Sequence, residues 1–347
     1  MLNRTEETLP LLRSPRDARA RPLRDLRLSV LDRCNFRCSY CMPEESLKGH
    51  MPFLPGESLL SDDELLRLVP AFTHLGVSKV RLTGGEPLLR PGFCDLVRRI
   101  ALVPGVVDLS MTSNGVLLPK LAHKLAAAGL DRITVSLDSL DEDVFAQMSG
   151  NRGSAAQVLE GIAAAESAGF SALKINCVVQ RGVNDHTVMD LVEHFRGSGH
   201  ILRLIEFLDV GGSNDWCKEQ VVPGQDWLNR IHGRWPLRPL KRTQPGETAQ
   251  RYAYADGQGE IGLINSITQP FCGNCSRARV TADGMLYTCL FSGQGTALRP
   301  LLRGNCDQQS LERFIRGLWT ARDDHYSEIR HLQTGSGAGP EMYRMGG

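Results

Sequence analysis

The sequence has no excess of charge of either sign. Its 347 residues include 40 lysines and arginines against 39 aspartates and glutamates, so the formal net charge is +1. A surface that binds nucleic acid or an anionic membrane needs a broad excess of basic residues. The balance argues against both kinds of partner, and any anion that this protein binds must be held by a few local cations.

Long hydrophobic runs are also missing. No segment is apolar over the length that a membrane-spanning helix needs, and the N-terminus has no secretory hydrophobic region. Residues 1–24 contain six arginines, but Glu6, Glu7 and Asp17 argue against a transit peptide, which is poor in acidic residues. We therefore expect residues 1–24 to be a flexible leader and the protein to be cytoplasmic.

The sequence has ten cysteines but no targeting signal for an oxidising compartment. The cytosol keeps thiols reduced, so disulfides are not expected. Clustered cysteines in a reducing compartment bind metal more often than they form redox pairs. Six of the ten form two tight groups, one near each end of the chain: Cys34, Cys38 and Cys41, and Cys272, Cys275 and Cys289.

Short apolar strands alternate with amphipathic helices from residue 26 to residue 208. Apolar residues recur every three or four positions in the helical segments, which include Asp62–Leu75, Pro119–Ala128 and Ser154–Ala168. The predicted strands are Leu26–Asp32, Val77–Thr83, Val107–Thr112, Arg132–Leu137, Ala172–Val179 and Ile201–Leu208. This alternation predicts a parallel sheet with right-handed crossovers. Six units are too few for an eightfold barrel, so we predict an α/β fold with a partial (β/α)6 TIM-like barrel over residues 25–210. Residues 211–347 are expected to form a C-terminal extension that closes the open side of the barrel.

The first cysteine group has the spacing C-x3-C-x2-C and directly follows the first predicted strand. Catalytic groups of such barrels gather at the C-terminal ends of the strands. Three thiolates on a short loop can bind three irons of a [4Fe–4S] cluster and leave the fourth iron open to chelate S-adenosylmethionine. Tyr40, before the third cysteine, is placed to contact the adenine. The alternative is a zinc site, which normally needs four ligands, and His50 is the nearest further candidate.

This first triplet resembles the signature of the radical S-adenosylmethionine (SAM) superfamily. Thr83–Pro87 reads Thr-Gly-Gly-Glu-Pro and resembles the glycine-rich loop of that superfamily. The glycines would let the backbone approach the methionine amino group, and Glu86 can organise the loop. Such a sequence alone is more often a turn, but its position one βα unit after the cysteines favours the functional interpretation.

The second cysteine group has the spacing C-x2-C-x13-C, again with three ligands. A zinc ribbon completed by Cys306 is an alternative on spacing alone. Arg277 and Arg279 lie between the second and third cysteines, two residues apart. On an extended segment they point the same way and form a fork for phosphate or carboxylate.

Together, the motifs resemble the GTP 3′,8-cyclase family, the MoaA proteins of molybdenum-cofactor biosynthesis. The resemblance spans residue 22 to the C-terminus and is carried by Leu28–Cys38, the Thr-Gly-Gly-Glu-Pro loop, Cys272–Arg279 and the terminal Gly346-Gly347. It implies a lyase that converts GTP into (8S)-3′,8-cyclo-7,8-dihydroguanosine 5′-triphosphate, the first step of that pathway. Each triplet would carry a [4Fe–4S] cluster. With SAM, the first would generate a 5′-deoxyadenosyl radical that removes the ribose C3′ hydrogen, and the second would hold the guanine.

The resemblance also assigns individual residues. It places GTP contacts at Arg27, Arg81, Thr112, Lys174, Arg277, Ala278 and Arg279, and SAM contacts at Tyr40, Gly85, Ser136 and Leu208. Arg27 is in addition the expected catalytic residue, which would help to reduce or protonate the cyclised radical. The chain has Leu208 where the family usually has Met, and Leu31 where it usually has Thr. The terminal Gly346-Gly347 would reach the active site.

The implied partners are an electron donor of the flavodoxin-type reductase system and cyclic pyranopterin monophosphate synthase, which would receive the product. The family also implies a homodimer. Two other functions remain open. A radical enzyme that modifies peptides would generally need more cysteines in the extension than this chain has. A non-enzymatic iron–sulfur or zinc protein would leave Gly84–Pro87 and the strand cations Arg27, Arg81 and Lys174 unexplained.

Overall fold

Six parallel strands and the helices between them form the first body of the protein in the computed structural model, which describes residues 14–47, 53–244, 246–330 and 339–346. The strands are β1 (Asp25–Ser29), β2 (Lys79–Thr83), β3 (Asp108–Ser113), β4 (Arg132–Ser136), β5 (Lys174–Val179) and β6 (Ile201–Glu206). The helices are α1 (Asp62–Thr73), α2 (Phe93–Ala101), α3 (Leu118–Ala127), α4 (Glu142–Ser149), α5 (Ala155–Ser167) and α6 (Val188–Phe195). The strands pair in chain order, each parallel to the next. The predicted partial (β/α)6 barrel is confirmed.

Local sequence signals account for the ends of these helices. Ser61 caps α1, because its hydroxyl accepts from the Glu64 N–H while the Glu64 carboxylate accepts from the Ser61 N–H. Gly76, Gly129 and Gly169 follow α1, α3 and α5 with positive φ angles, as expected of left-handed caps. Helix limits predicted from periodicity are therefore correct to within about two residues.

The C-terminal part adds strands to both edges of the six-stranded sheet. Its elements are α7 (Gly224–Arg234), β7 (Leu237–Pro239), β8 (Gln250–Tyr254), β9 (Glu260–Ile264), β10 (Arg277–Val280), β11 (Met285–Tyr287), β12 (Thr296–Ala297), α8 (Arg299–Arg303), α9 (Gln308–Thr320), α10 (Tyr326–Ile329) and α11 (Met342–Met345). Strand β9 pairs parallel with β6, and β10 pairs parallel with β1. The extension thus borders the barrel strands on both sides. Among the described residues, no helix is long and apolar enough to cross a membrane.

The segment before β1 is packed against the rest of the protein from Ser14 onward. Leu23 is fully buried and belongs to the main hydrophobic core, and the Asp17 and Arg21 side chains are almost fully buried. The N–H of Ala18 donates to the Arg322 carbonyl near the other end of the chain. The predicted flexible leader is therefore wrong for residues 14–24, whereas residues 1–13 lie outside the described residues.

A close contact between α5 and the start of α3 gives a stability test. Gly161 of α5 faces the Gly115 carbonyl, and a Cβ at residue 161 would overlap that oxygen. The carbonyl is held in place because it accepts from the Leu118 N–H at 3.0 Å. We expect Gly161→Ala to lower the free energy of unfolding by about 1–3 kcal/mol, as overpacking does.

The matched control is Gly317→Ala. Gly317 lies inside α9 with open space around it, so alanine should raise the free energy of unfolding by about 0.5–1 kcal/mol through its better helix propensity. Urea unfolding of both variants, followed by circular dichroism, measures the two shifts. Equal shifts in the same direction would contradict the packing explanation.

Candidate functional site

A cavity of about 1040 Å³ lies inside the curved sheet and reaches both cysteine groups. Ligand pockets in proteins usually measure about 300–1,000 Å³, so this one has room for more than a single small molecule. It is lined by every predicted site residue except Ala278: Arg27, Cys34, Cys38, Tyr40, Cys41, Arg81, Gly85, Thr112, Ser136, Lys174, Leu208, Cys272, Cys275, Arg277, Arg279 and Cys289. Ala278 lies opposite Leu26 in the register and is buried in the core, so its side chain faces away from the cavity.

The two cysteine groups lie at opposite ends of the barrel strands. Cys34–Cys41 follows the C-terminal end of β1. Cys275 instead precedes β10, which runs parallel to β1. Cys289 follows β11, which runs antiparallel to β10, so it returns to the same end as Cys275. The cavity therefore has a cysteine group at each end, with the strand side chains between them.

Glu86 organises the loop at the first end, as the sequence predicts. Its buried carboxylate accepts from the Leu88 N–H, the Asn114 N–H and the Ser113 hydroxyl. Burial raises the pKa of Glu86 to about 7 despite these donors. Gly85 lies so close to the Arg33 carbonyl that a Cβ would overlap it, which explains why glycine is needed at this position.

The first three thiols are held in a buried setting. Burial raises the pKa of Cys34 to about 11 and also raises the pKa values of Cys38 and Cys41. Asn114 reaches this group, since its amide donates to Asn35 at 2.7 Å and lies 3.9 Å from the Cys34 sulfur. Binding iron would deprotonate these thiols, so the loop suits thiolate ligation once metal is present.

The second thiol group lies in an electropositive setting. Burial acts to raise the pKa of Cys275, but Arg277 and Arg322 outweigh it and bring the pKa to about 6. Burial raises the pKa of Cys289 to about 11. Cys306, proposed as the fourth ligand of a zinc ribbon, does not line the cavity, and its thiol donates to the Asp307 carbonyl at 3.4 Å.

The alternative of a zinc site has no further ligand among the described residues. No three Cys, His, Asp or Glu side chains converge there as ligands of one ion. His50, the nearest further candidate at the first group, lies outside the described residues.

Cations on the strands line the cavity between the two cysteine groups. Arg27 lies opposite both Arg81 and Arg279 in the strand register. Burial and these arginines hold the pKa of Arg27 well below its ordinary value, and burial with neighbouring arginines lowers the pKa of Arg279 to about 10. Burial lowers the pKa of Lys174 to about 7, with Arg203, Arg132 and Arg81 lowering it further. Burial and like charges therefore outweigh the nearby opposite charges at these three cations.

Hydrogen bonds within the protein hold Arg81 and Arg279 in position. Arg81 donates to Thr112 at 3.3 Å and to Thr134 at 3.1 Å, so Thr112 holds Arg81 as well as lining the cavity. Arg279 donates to the Met345 carbonyl at 3.0 Å. The C-terminal segment thus enters the cavity, where Gly346 lies against Thr83. Gly347 lies outside the described residues.

The predicted SAM residues gather at the first end. The Tyr40 hydroxyl donates to Asp138 at 2.8 Å, and burial raises the pKa of that carboxyl to about 6. Ser136 and Leu208 line the same cavity. Leu31 is buried beneath the glycine-rich loop, where its carbonyl accepts from the Gly85 N–H at 2.8 Å.

Sequence reasoning missed Arg203 and Asp138. Arg203 is 9% exposed, its Nε has no hydrogen-bond partner, and burial lowers its pKa to about 9. Gly262 on β9 leaves space for it, because a Cβ there would lie 3.0 Å from the Arg203 Cγ. A signal existed for both residues: Arg203 has the inward parity of the sixth predicted strand, and Asp138 directly follows the fourth.

Comparisons with known proteins agree with this geometry. The Radical SAM superfamily profile matches residues 28–195, and the Molybdenum Cofactor Synthesis C profile matches residues 200–328. The GTP 3′,8-cyclase of Xanthomonas axonopodis pv. citri is 53% identical over 331 residues, which covers 95% of this chain and 98% of that protein. The GTP 3′,8-cyclase of Acidothermus cellulolyticus is 48% identical, over 92% of this chain and 89% of that protein.

Solved structures share the fold. The crystal structure of Streptococcus suis SuiB bound to S-adenosylmethionine aligns with a TM-score of 0.60 at 13% identity, over 93% of this chain and 77% of that one. Native anSMEcpe with bound AdoMet aligns with a TM-score of 0.54 at 17% identity, over 82% of each chain. From its curated relatives, the chain belongs to the GTP 3′,8-cyclase family of radical SAM enzymes, which use an iron–sulfur cluster and S-adenosylmethionine.

Proposed function

We propose that this chain cyclises GTP to (8S)-3′,8-cyclo-7,8-dihydroguanosine 5′-triphosphate and so begins molybdenum-cofactor biosynthesis. The observation that carries the proposal is the cavity with a three-cysteine group at each end and, between them, Arg27, Arg81, Lys174 and Arg203, which no carboxylate pairs with among the described residues. A GTP triphosphate carries about four negative charges and is the kind of anion that such a cluster binds. A non-enzymatic iron–sulfur carrier would have no use for these buried cations.

In this proposal, the N-terminal and C-terminal parts of the chain have different roles. Residues 25–210 hold the first [4Fe–4S] cluster on Cys34, Cys38 and Cys41, and SAM lies against Tyr40, Gly85, Ser136 and Leu208. Residues 211–347 hold a second [4Fe–4S] cluster on Cys272, Cys275 and Cys289, which binds the guanine. When bound, the first cluster and SAM supply a 5′-deoxyadenosyl radical that takes the ribose C3′ hydrogen.

The chain's own residues bind and orient the nucleotide. Arg81, Thr112, Lys174, Arg277 and Arg279 hold GTP, with the backbone at Ala278 on the same strand. We add Arg203 to this set, because it is buried, lines the same cavity, and its Nε has no hydrogen-bond partner among the described residues. These contacts fix the ribose toward the first cysteine group and the base toward the second, and thus set which hydrogen is removed.

In this proposal, Arg27 donates a proton to the cyclised product. Its pKa is lowered by burial, then by Arg279, Arg81 and Arg277. This shift applies to the free protein. Arg27 faces the cavity between Arg279 and Arg81, and from there its guanidinium N–H can donate a proton to the cyclised product as an electron from the reductase system reduces it.

Partners and location complete the proposal. A flavodoxin-type reductase system supplies electrons, and cyclic pyranopterin monophosphate synthase takes the product. The enzyme acts as a cytoplasmic homodimer, without nucleic-acid or membrane partners.

Iron content tests the two-cluster assignment. After anaerobic reconstitution we expect about eight irons per chain, and with reductant, SAM and GTP we expect GTP-dependent 5′-deoxyadenosine. Replacing Cys272, Cys275 and Cys289 by alanine should leave about four irons and abolish GTP binding. Cys306→Ala is the matched control and should keep all the iron. Four irons in the unmodified protein, or SAM cleavage indifferent to GTP, would contradict the assignment.

Arg203→Met tests whether the unpaired cation serves the substrate. It should weaken GTP binding about 10- to 100-fold, the value of a charged hydrogen bond. Without GTP it should raise the free energy of unfolding by about 1 kcal/mol, since it removes an uncompensated buried charge. Calorimetric GTP titration and urea unfolding measure the two effects.

Arg196→Met is the control outside the cavity. Arg196 pairs with Asp256, so this change should leave GTP affinity unchanged. Loss of stability in Arg203→Met with unchanged affinity would refute the assignment.

The pKa of Lys174 predicts how GTP binding depends on pH. With a pKa of about 7 in the free protein, Lys174 is neutral above that pH, whereas a bound triphosphate favours its charged form. Binding then takes up a proton, and the Kd for GTP should rise by up to about tenfold per pH unit above pH 7. Calorimetry in buffers of different ionisation enthalpy measures the uptake, and Lys174→Met should abolish it. A Kd in the unmodified protein that does not change between about pH 7.5 and 9 would contradict the prediction.

A further inference from the structure

A buried ion network lies in the segment that precedes β1. The Asp17 carboxylate is 0% exposed and accepts from Arg21 Nε at 2.6 Å and from Arg322 Nη1 at 3.1 Å. Both guanidinium-bearing side chains are only 1% exposed. Asp17 therefore joins two arginines that are 301 residues apart in the sequence, namely residues 21 and 322.

The two arginines hold the loop of the second cysteine group. Arg21 Nη1 donates to the Cys272 carbonyl at 2.9 Å. Arg322 Nη1 donates to the Cys275 carbonyl at 2.8 Å. Each contact is to the backbone of a cysteine, so the arginines fix the peptide units from which these two thiols project.

The same network reaches the third cysteine. Asp324 pairs with Arg322 at 3.4 Å and accepts from the Thr288 hydroxyl at 2.5 Å. Thr288 directly precedes Cys289. The Asp324 carbonyl also accepts from Arg21 Nη1 at 2.7 Å. One connected set of side chains thus contacts the backbone of Cys272 and Cys275 and the residue before Cys289.

Pairing with carboxylates distinguishes this network from Arg27, Arg81 and Arg203, although Arg322 and Asp324 also line the cavity. Asp17 and Asp324 offset the charges of Arg21 and Arg322, so the set is neutral within the protein. The Trp319 ring lies 4.6 Å from the Arg322 guanidinium, and its Nε1–H donates to the Arg21 carbonyl at 3.1 Å. Arginines paired with carboxylates in this way do not depend on an anionic ligand. Each gives one nitrogen to the cysteine loop, while Arg21 Nη2 and Arg322 Nε have no hydrogen-bond partner among the described residues.

We propose that Asp17, Arg21 and Arg322 are positioning residues for the second cysteine group. They hold its loop in the conformation that presents three thiols to one cluster, with the open side toward the substrate cations. Outer partners that orient metal ligands commonly contribute about 10- to 100-fold to metal affinity. The inference rests on the proposed function, since it requires a cluster on Cys272, Cys275 and Cys289.

Asp17→Asn tests the anchor of the network in the reconstituted full-length protein. The change keeps the side-chain size but removes the charge that holds both arginines. With an iron chelator as the probe, half of the iron should be released about 10- to 100-fold faster than in the unmodified protein. The other half should leave at the unmodified rate, and affinity for GTP should fall while affinity for SAM stays the same.

Arg21→Lys tests the geometry independently. Lysine keeps the charge but cannot bind Asp17 and two carbonyls with one planar group, so it should show the same selective iron loss as Asp17→Asn. If Arg21→Lys retains iron as the unmodified protein does, charge alone suffices and the positioning role is refuted.

Asp62→Asn controls for general destabilisation. Asp62 pairs with Arg90 at 2.6 Å, and Arg90 donates to the Val30 and Leu60 carbonyls, so the arrangement is similar but distant in the fold from the second group. For each variant, the chelator experiment is run at a temperature the same number of degrees below the melting temperature of that variant. Equal acceleration in Asp62→Asn, or release of both halves together in Asp17→Asn, would overturn the inference. Only four irons in the unmodified protein would overturn the proposed second cluster itself.

Discussion

The fold places several positively charged side chains next to one another inside one β-sheet, and the rest of the structure must offset their repulsion. Arg279, Arg27 and Arg81 lie side by side on β10, β1 and β2, where directly opposite like charges destabilise strand pairing. Burial adds to the cost, as the lowered pKa values of all three show. The hydrophobic faces of the same strands, which pack against the surrounding helices, must outweigh this repulsion. A polyanion in the cavity would relieve it, so the substrate is part of the charge balance of the fold.

The barrel could be predicted because its signals are local. Strand and helix periodicity, capping glycines and the position of each motif after a strand all lie within a few residues of one another in the sequence. Arg27, Arg81 and Lys174 alternate with fully buried apolar neighbours along their strands, and the structure places all three in the cavity. Ala278 alternates in the same way with Arg277 and Arg279, so its side chain points into the core. The resemblance had assigned Ala278 to the site together with these two arginines.

Long-range contacts account for what the sequence did not reveal. Strands β9 and β10 join opposite edges of the sheet, and no local pattern states which edge a strand will join. Residues 1–24 were expected to be a flexible leader because they are rich in arginine but do not fit a transit peptide. Arg21 pairs with the Asp17 carboxylate and donates to the Asp324 backbone carbonyl, and Arg322 near the other end of the chain pairs with the same Asp17. Composition cannot distinguish a solvated arginine from one that is paired after folding.

Buried charges in this protein are therefore of two kinds, which differ in whether an opposite charge within the chain pairs with them. Around Asp17, acids and bases are matched within the chain, and the surplus donors hold the backbone of a metal loop. Around Arg27, bases face bases, and the structure supplies few counter-charges. Arg203 belongs to the second kind, because no carboxylate pairs with it among the described residues, and burial with Arg81 and Arg132 lowers its pKa. Charges that are paired within the chain can hold metal ligands rigidly, whereas buried cations without a counter-charge favour the binding of an anion. The two kinds meet on β10. Arg279 lies opposite Arg27 there, whereas the Cys275 thiol raises the pKa of Arg277. The paired charges around the second cysteine group thus border directly on the unpaired cations of the cavity.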